Sequence, residues 1–195
     1  MRERVISWLT ENVSKQRLSH IIGVEQMARE LARLHSLDEE KAAIAGLMHD
    51  LAKFFPPDIL LEIAQTHQIT IDPICLVNPH LLHADVSAIV AQQEFGIEDP
   101  EILSAISNHT LGQVNMSDLA CVVFVADALE PNRGQTPELE KMRQTSRENL
   151  YQGVVQTCDY SLKYLINSWR TIHPRTVMTR NWAMSLVKQT LIQSN

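Results

Sequence analysis

Two acids of this chain stand in runs too apolar to hydrate them. In Ala42 to Ala52, AAIAGLMHDLA, His49 and Asp50 lie side by side among aliphatic residues, and in Leu119 to Leu129, LACVVFVADAL, Asp127 is alone. An ionised carboxylate in an apolar setting is costly unless it is paired, hydrogen-bonded or bound to a metal, so each run predicts a partner for its acid. Ion pairs would suffice, Asp50 with Lys53 and Asp127 with Arg133. Histidines widen the choice. His20, His83 and His109 each fall at or near a predicted helix end, where side chains from separate helices can converge as they do in metal sites built inside helical bundles. His35, His67 and His80 have no place in that series and are expected at the surface or just behind the ligands.

The elements that must position these groups are helices. Apolar residues recur at helical spacing, as in Val24, Met27, Ala28, Leu31 and in Ile102, Leu103, Ile106, and no segment sustains a strand-like alternation. The fold class is therefore all-α, with eight or nine helices expected in one domain over residues 1–195. Pro56-Pro57 is expected to stop one helix, Gly96 to cap another, Asp99-Pro100 and Ser117 to start two more, and His173-Pro174 to part the last pair. Pro131 to Pro137, with Gly134 between them, is the candidate long loop. Trp169 and Trp182 are expected in the core, the commoner fate of tryptophan in a late helix.

Composition narrows the function. A chain of 195 residues with 45% hydrophobic content can bury a sizeable core without disulfides. Cys75, Cys121 and Cys158 are odd in number and far apart, which suits neither a disulfide framework nor a thiolate zinc site and points to a reducing, cytoplasmic setting. The longest apolar run, Leu119 to Leu129, is too short to span a bilayer, and the charged Met1 to Asn12 does not read as a signal peptide. A net charge of -6 argues against a broad basic surface for nucleic acid, leaving small anionic ligands gripped by local Lys and Arg.

The order His20, His49-Asp50, His83, His109, Asp127 resembles the HD superfamily of metal-dependent phosphohydrolases. The blocks RLSHIIGV (Arg17 to Val24), GLMHDLAK (Gly46 to Lys53), LHADVSA (Leu82 to Ala88), NHTLG (Asn108 to Gly112) and ADALEPNR (Ala126 to Arg133) are similar to one branch of it. That branch is the bacterial HD-domain symmetrical bis(5'-nucleosyl)-tetraphosphatases, which split diadenosine tetraphosphate into two ADP. The branch usually reads HAPVGA and HTTG where this chain has HADVSA and HTLG, departures that spare both histidines.

The resemblance implies an HD-type helical bundle in which His20, His49, Asp50 and Asp127 hold the metal and Asp50 can bridge to a second ion. His83 and His109 complete a two-metal site or bind substrate phosphate, and with Asp50 they form the catalytic set. Imidazole and carboxylate ligands without thiolate suit iron, manganese or zinc, as one ion or two, and the resemblance favours iron. Such an ion lowers the pKa of water toward neutrality and polarises the attacked phosphorus, so no protein nucleophile is required. Arg17, Lys53 and Arg133 are the expected phosphate grips, and IHPRTVMTRN (Ile172 to Asn181) adds His173, Arg175, Arg180 and Asn181 as substrate contacts. The implied partner is a small-molecule dinucleoside polyphosphate, with no nucleic acid or membrane, and the size allows a homodimer. Two other readings share these residues: an HD-type hydrolase of a different nucleotide, and a non-catalytic nucleotide-sensing module. ADALEPNR with Arg133 favours the tetraphosphatase, and the filled ligand series speaks against a module that has lost turnover.

Overall fold

The computed structural model describes residues 1–193. It consists of α1 (Arg2–Asn12), α2 (Lys15–Leu34), α3 (Glu39–Met48), α4 (Pro57–Thr66), α5 (Pro73–Val77), α6 (His83–Phe95), α7 (Pro100–Asn108), α8 (Asp118–Leu129), α9 (Pro137–Glu148), α10 (Leu150–Asn167) and α11 (Pro174–Gln193). Two 3-10 turns, Pro79–Leu82 and Pro131–Arg133, complete the helical structure, and no strand occurs among the described residues. The all-α class holds, with eleven α-helices among the described residues rather than eight or nine, because several are only two or three turns long.

Local chemistry explains the boundaries. Asp99 accepts from the backbone N–H of Glu101 and Ile102 ahead of Pro100, Ser117 accepts from Ala120 N–H, and Gly96 ends α6 in the left-handed region at φ 70. Pro57, Pro73, Pro100, Pro137 and Pro174 all open α-helices, where the missing N–H costs nothing. Pro56-Pro57 therefore starts α4 instead of stopping a helix. The Pro131 to Pro137 stretch is loop only after its own 3-10 turn.

The core is built around α8, whose residues from Leu119 to Ala126 are all buried, as a helix apolar on every face requires. It packs against α2, α3, α7, α9 and α10, while α11 lies along α10 and α6 along α7. Helices α2 and α3 approach closely at Gly46, where an added Cβ would lie 3.1 Å from the Glu25 Cα. These contacts bring the inner faces of α2 and α8 and the ends of α3, α6 and α7 to one place.

Within the apolar run Ala42 to Ala52, the helix ends at Met48. Beyond it the backbone bonds tighten to spans of three residues, Leu51 N to Met48 O and Lys53 N to Asp50 O, and the Ala52 N–H is taken by the Ser87 hydroxyl at 3.0 Å. The apolar pattern runs on because the segment stays buried, although its backbone has left the helix. This change of direction swings Asp50 into the centre of the molecule.

Candidate metal centre

His20 comes from α2, His49 and Asp50 from the turn after α3, His83 from the first residue of α6, His109 from the C-cap of α7, and Asp127 from the last turn of α8. His49, Asp50, His83 and His109 are each at most 2% exposed. His20 Nε2 lies 3.0 Å from Asp127 Oδ1 and 4.0 Å from Asp50 Oδ2. His49 Nε2 is 3.4 Å from Asp50 Oδ2, while His83 and His109 place Nε2 at 3.3 and 3.6 Å from Asp50 Oδ1. All six residues of the ordered series thus converge.

Each imidazole is set in one tautomer by what its other nitrogen meets. Nδ1 of His49, His83 and His109 donates to the carbonyl of Gly46, His80 and Ile106 at 2.7, 2.6 and 2.7 Å. A carbonyl can only accept, so the proton sits on Nδ1 and the Nε2 lone pair faces inward. His20 Nδ1 donates to Glu130 Oε1 at 2.9 Å in the same sense. Metal-binding histidines are held in this way, by a carbonyl or carboxylate behind the ring.

The donor set fits a divalent cation. His49 Nε2 is buried without a hydrogen-bond partner. His83 and His109 bring two Nε2 atoms within 3.1 Å of each other. Two ligands about 2.1 Å from one ion and about 90° apart would be separated by about 3 Å, so one cation would satisfy both lone pairs. Asp50 belongs to two groups of converging ligand atoms, one with His20 and His49 and one with His83 and His109, so it would contribute to either group if an ion were held there.

Protonation states agree with ligation. Burial alone would raise the Asp50 carboxyl, but the imidazoles of His49, His109 and His83 gathered around it outweigh burial and hold Asp50 well below the usual carboxylate range. Burial is likewise overcome at Asp127 by His20, His49, Arg133 and His109. Burial pushes His83 down to about 4, so its ring is neutral at pH 7, as a metal ligand must be.

Three cations surround the cluster. Arg17 Nη1 donates to Asp50 Oδ2 at 3.0 Å, Arg133 Nη2 to Asp127 Oδ1 at 2.7 Å, and Lys53 Nζ to His83 Nε2 at 3.1 Å. The Asp127–Arg133 ion pair therefore exists alongside the ligand geometry, whereas Asp50 pairs with Arg17 in place of Lys53. A cavity of about 590 Å³, lined in part by Arg17, His20, Phe54, Asn132 and Arg133, opens beside the His20 end.

The C-terminal candidates lie farther out. His173 donates from Nε2 to Asp72 Oδ2 at 2.6 Å, with Cys75 Sγ at 3.8 Å, and its Nδ1 accepts the Arg175 N–H at 3.1 Å. An accepting Nδ1 places the proton on Nε2, so this triplet is a hydrogen-bonded latch between α5 and α11 and has no lone pair for a metal. Arg175 bonds the Gly112 carbonyl and Asn108 Oδ1 at 2.8 and 3.3 Å, bracing the turn that carries His109. Half-buried Asp85, at the departure HADVSA, has its carboxyl pushed up by burial against the pull of Arg175. Arg180 pairs with Asp159 of α10 at 2.8 Å and contacts Asn181, and neither reaches the cluster.

Sequence reasoning missed Glu130, Gly23, Arg143 and Thr110. Glu130 is fully buried behind His20, and its Oε2 accepts the Asn132 N–H at 2.7 Å. A Cβ at Gly23 would come within 2.3 Å of Glu130 Oε2, so glycine is the residue that lets the carboxylate reach the ring. Buried Arg143 ties the carbonyls of Leu129, Glu130 and Gly134. Thr110 Oγ1 stands 2.9 Å from His109 Nε2 and 3.1 Å from His83 Nε2. Glu130 follows Asp127 by one helical turn at the end of the same buried run, the one signal that pointed to it.

Residues 17–132 match the HD domain family, and the chain belongs to it: it is an HD-type metal-dependent hydrolase. More narrowly, it belongs with the symmetrical bis(5'-nucleosyl)-tetraphosphatases. It is 34% identical over 186 residues to the protein of that name from Bacillus subtilis, covering 94% of this chain and 98% of that one. The protein of the same name from Halalkalibacterium halodurans is 33% identical over 180 residues, 92% of this chain and 95% of its own. A crystal structure described as a predicted HD superfamily hydrolase involved in NAD metabolism, from Clostridium acetobutylicum, superposes with a TM-score of 0.90 at 31% identity, covering 95% of this chain and 97% of that one.

Binding of an ion by folded protein alone adds stability by mass action, about 2.7 kcal/mol at a hundred times the dissociation constant. Thermal melts are therefore expected to fall by several degrees on treatment with a chelator and to recover in proportion to added manganese or iron. A melting temperature indifferent to both would count against the centre.

Proposed function

We propose that this protein hydrolyses a dinucleoside tetraphosphate, diadenosine tetraphosphate in the first instance, at its central phosphoanhydride to give two ADP. The observation that carries the reading is the distribution of cations: Arg17 and Arg133 lie at the His20 end of the cluster and Lys53 at the His83 end. A monoester would engage one end, whereas a chain of four phosphates spans both. The two relatives named as symmetrical bis(5'-nucleosyl)-tetraphosphatases support the same substrate.

When bound at this centre, a divalent ion supplies water with a pKa near neutrality and withdraws charge from the attacked phosphoryl group. The chain's own residues do the rest. His20, His49, Asp50 and Asp127 hold the primary ion, iron first and manganese or zinc as alternatives. His83 and His109, with Asp50, would hold a second ion; to hydrogen-bond phosphate instead, a ring would first have to take up a proton on Nε2. Lys53 and Arg133 leave their present partners for phosphate oxygens and neutralise the charge that builds on them. His173 and Arg175 support the pocket wall through the latch, while Arg180 and Asn181 would need to move to touch substrate. The reading takes residues 1–195 as one domain of a cytoplasmic enzyme, and no helix among the described residues is long and apolar enough to cross a membrane.

Lys53→Ala and Arg133→Ala are each expected to raise KM for diadenosine tetraphosphate ten- to a hundredfold, the scale of about 1.5–3 kcal/mol for a hydrogen bond to a charged group. Metal content by elemental analysis should stay at the wild-type level. The reading itself is tested by competition among substrates: kcat/KM for diadenosine tetraphosphate should exceed those for ATP, dATP and ADP by at least about a hundredfold with the same ion. A mononucleotide turned over faster would transfer the site to the other HD-type reading.

A further inference from the structure

Trp169 is 97% exposed, unlike the two other tryptophans. Trp8 packs edge-on against Phe95 and Trp182 against Tyr151, with ring centroids 6.2 and 5.9 Å apart. Trp182 thus sits against the core as expected, whereas Trp169 does not. Its backbone is also unusual, with φ 54 in the left-handed region just beyond α10. Bonds from Trp169 N to Ile166 O and from Arg170 N to Leu165 O close the helix around it, at a position where glycine or asparagine is usual. A bulky aromatic residue held there in full contact with water contributes nothing to the core and is strained besides. Such outliers point toward binding.

Trp169 lies at the edge of a cavity of about 340 Å³ with Leu81, Leu111 and Leu165 on its walls and Asn78, His80 and Thr171 among its polar groups. That volume lies within the usual range of small-molecule pockets, about 300–1,000 Å³. Two of its lining residues, His80 and Leu111, are neighbours of groups at the His83 and His109 end of the metal centre. Leu111 follows Thr110, whose hydroxyl is 3.1 Å from His83 Nε2, and the His80 carbonyl holds His83 Nδ1 at 2.6 Å. The larger cavity reaches His20. One pocket is thus lined by His20 itself, and the other lies behind His83 and beside Thr110, at the other end of a cluster that runs from His20 through Asp50 to His83 and His109.

We propose that this second cavity seats one nucleoside of the dinucleoside polyphosphate, with Trp169 stacked on its base and Arg170 at the entry to its phosphates. This rests on the substrate reading above and deepens it. A substrate cut at its middle has two equal halves, and an asymmetric chain must provide each with its own seat. The larger cavity, with Arg17 and Arg133, takes one half, and the Trp169 cavity takes the other. A flat aromatic wall accepts any base, so adenine and guanine should both enter.

The test uses the manganese-loaded full chain with ADP as probe, followed by calorimetry and tryptophan fluorescence. Two ADP should bind per chain, and saturation should quench a fluorescence component that is missing in Trp169→Phe. Trp169→Ala should weaken one of the two ADP about tenfold and raise KM for diadenosine tetraphosphate by a similar factor, with kcat within about twofold. Trp169→Phe, which keeps a stacking ring, should restore both, and ribose 5-phosphate should give no quench. If ADP quenches Trp169 but diadenosine tetraphosphate is not cleaved, the nucleoside seat stands and the substrate reading falls. Unchanged ADP binding in Trp169→Ala overturns the proposal. The same result with a dimer turning into monomer on gel filtration would assign the exposed ring to contact with a second copy of the chain.

Discussion

Asp50→Ala should abolish both metal retention and turnover, the latter by about a thousandfold or more, equivalent to about 4 kcal/mol of transition-state stabilisation. No other side chain faces so many members of the centre: one oxygen lies 3.3 and 3.6 Å from the Nε2 of His83 and His109, the other 3.4 and 4.0 Å from those of His49 and His20. Its loss leaves four imidazoles without their shared anion and Arg17 without its acceptor. Breaking a buried charged network costs about 3–5 kcal/mol, so the alanine variant is also expected to melt earlier. Asp50→Asn separates the two effects. It keeps the shape and can accept from Arg17, so it should fold more nearly like wild type, yet it lacks the charge and should still bind metal poorly. Elemental analysis and circular dichroism on both variants check this, and full metal with full activity in either would refute the assignment.

The second large effect is expected at residues that touch no substrate. Glu130 fixes His20 through a 2.9 Å hydrogen bond from Nδ1 and is itself reachable only because residue 23 has no side chain. Supporting carboxylates behind metal-bound histidines are typically worth ten- to a hundredfold in affinity or activity. Glu130→Gln, which can still accept from His20 but carries no charge, should lie at the lower end of that range. Gly23→Ala should lie at the upper end, because its methyl group displaces the carboxylate altogether. In an ordinary helix interior the same change would stabilise by about 0.5–1 kcal/mol. A Gly23→Ala protein that gains stability and keeps its metal affinity would show that the close approach is unimportant. Metal titration monitored by activity and by melting distinguishes the outcomes.

Where the chain declares its structure locally, the sequence could be read. Asp99-Pro100, Ser117 and Gly96 act through their own side chain or φ, and each ends or begins a helix as expected. The turn after Met48 could not be read, since the apolar pattern continues and the break depends on Ser87, 35 residues away from Ala52, taking a backbone N–H. At the centre, the histidines and aspartates could be picked out because their order resembles that of the HD superfamily, and the structure brings all six together. Glu130 and Gly23 could not, because their meeting exists only once α2 lies against the end of α8. Arg180 was inferred from the likeness of its segment, and in the structure its guanidinium is paired with Asp159 of α10, a partner the sequence did not suggest. Trp169 was assigned to the core by the habit of its residue type, whereas the left-handed helix end turns it outward.

The most direct test of the central claim is chromatography of the products formed from diadenosine tetraphosphate by the metal-loaded protein, with a chelator control. ADP as the only nucleotide product, absent when the ion is removed, is the expected result. Equal amounts of AMP and ATP would contradict cleavage at the central anhydride.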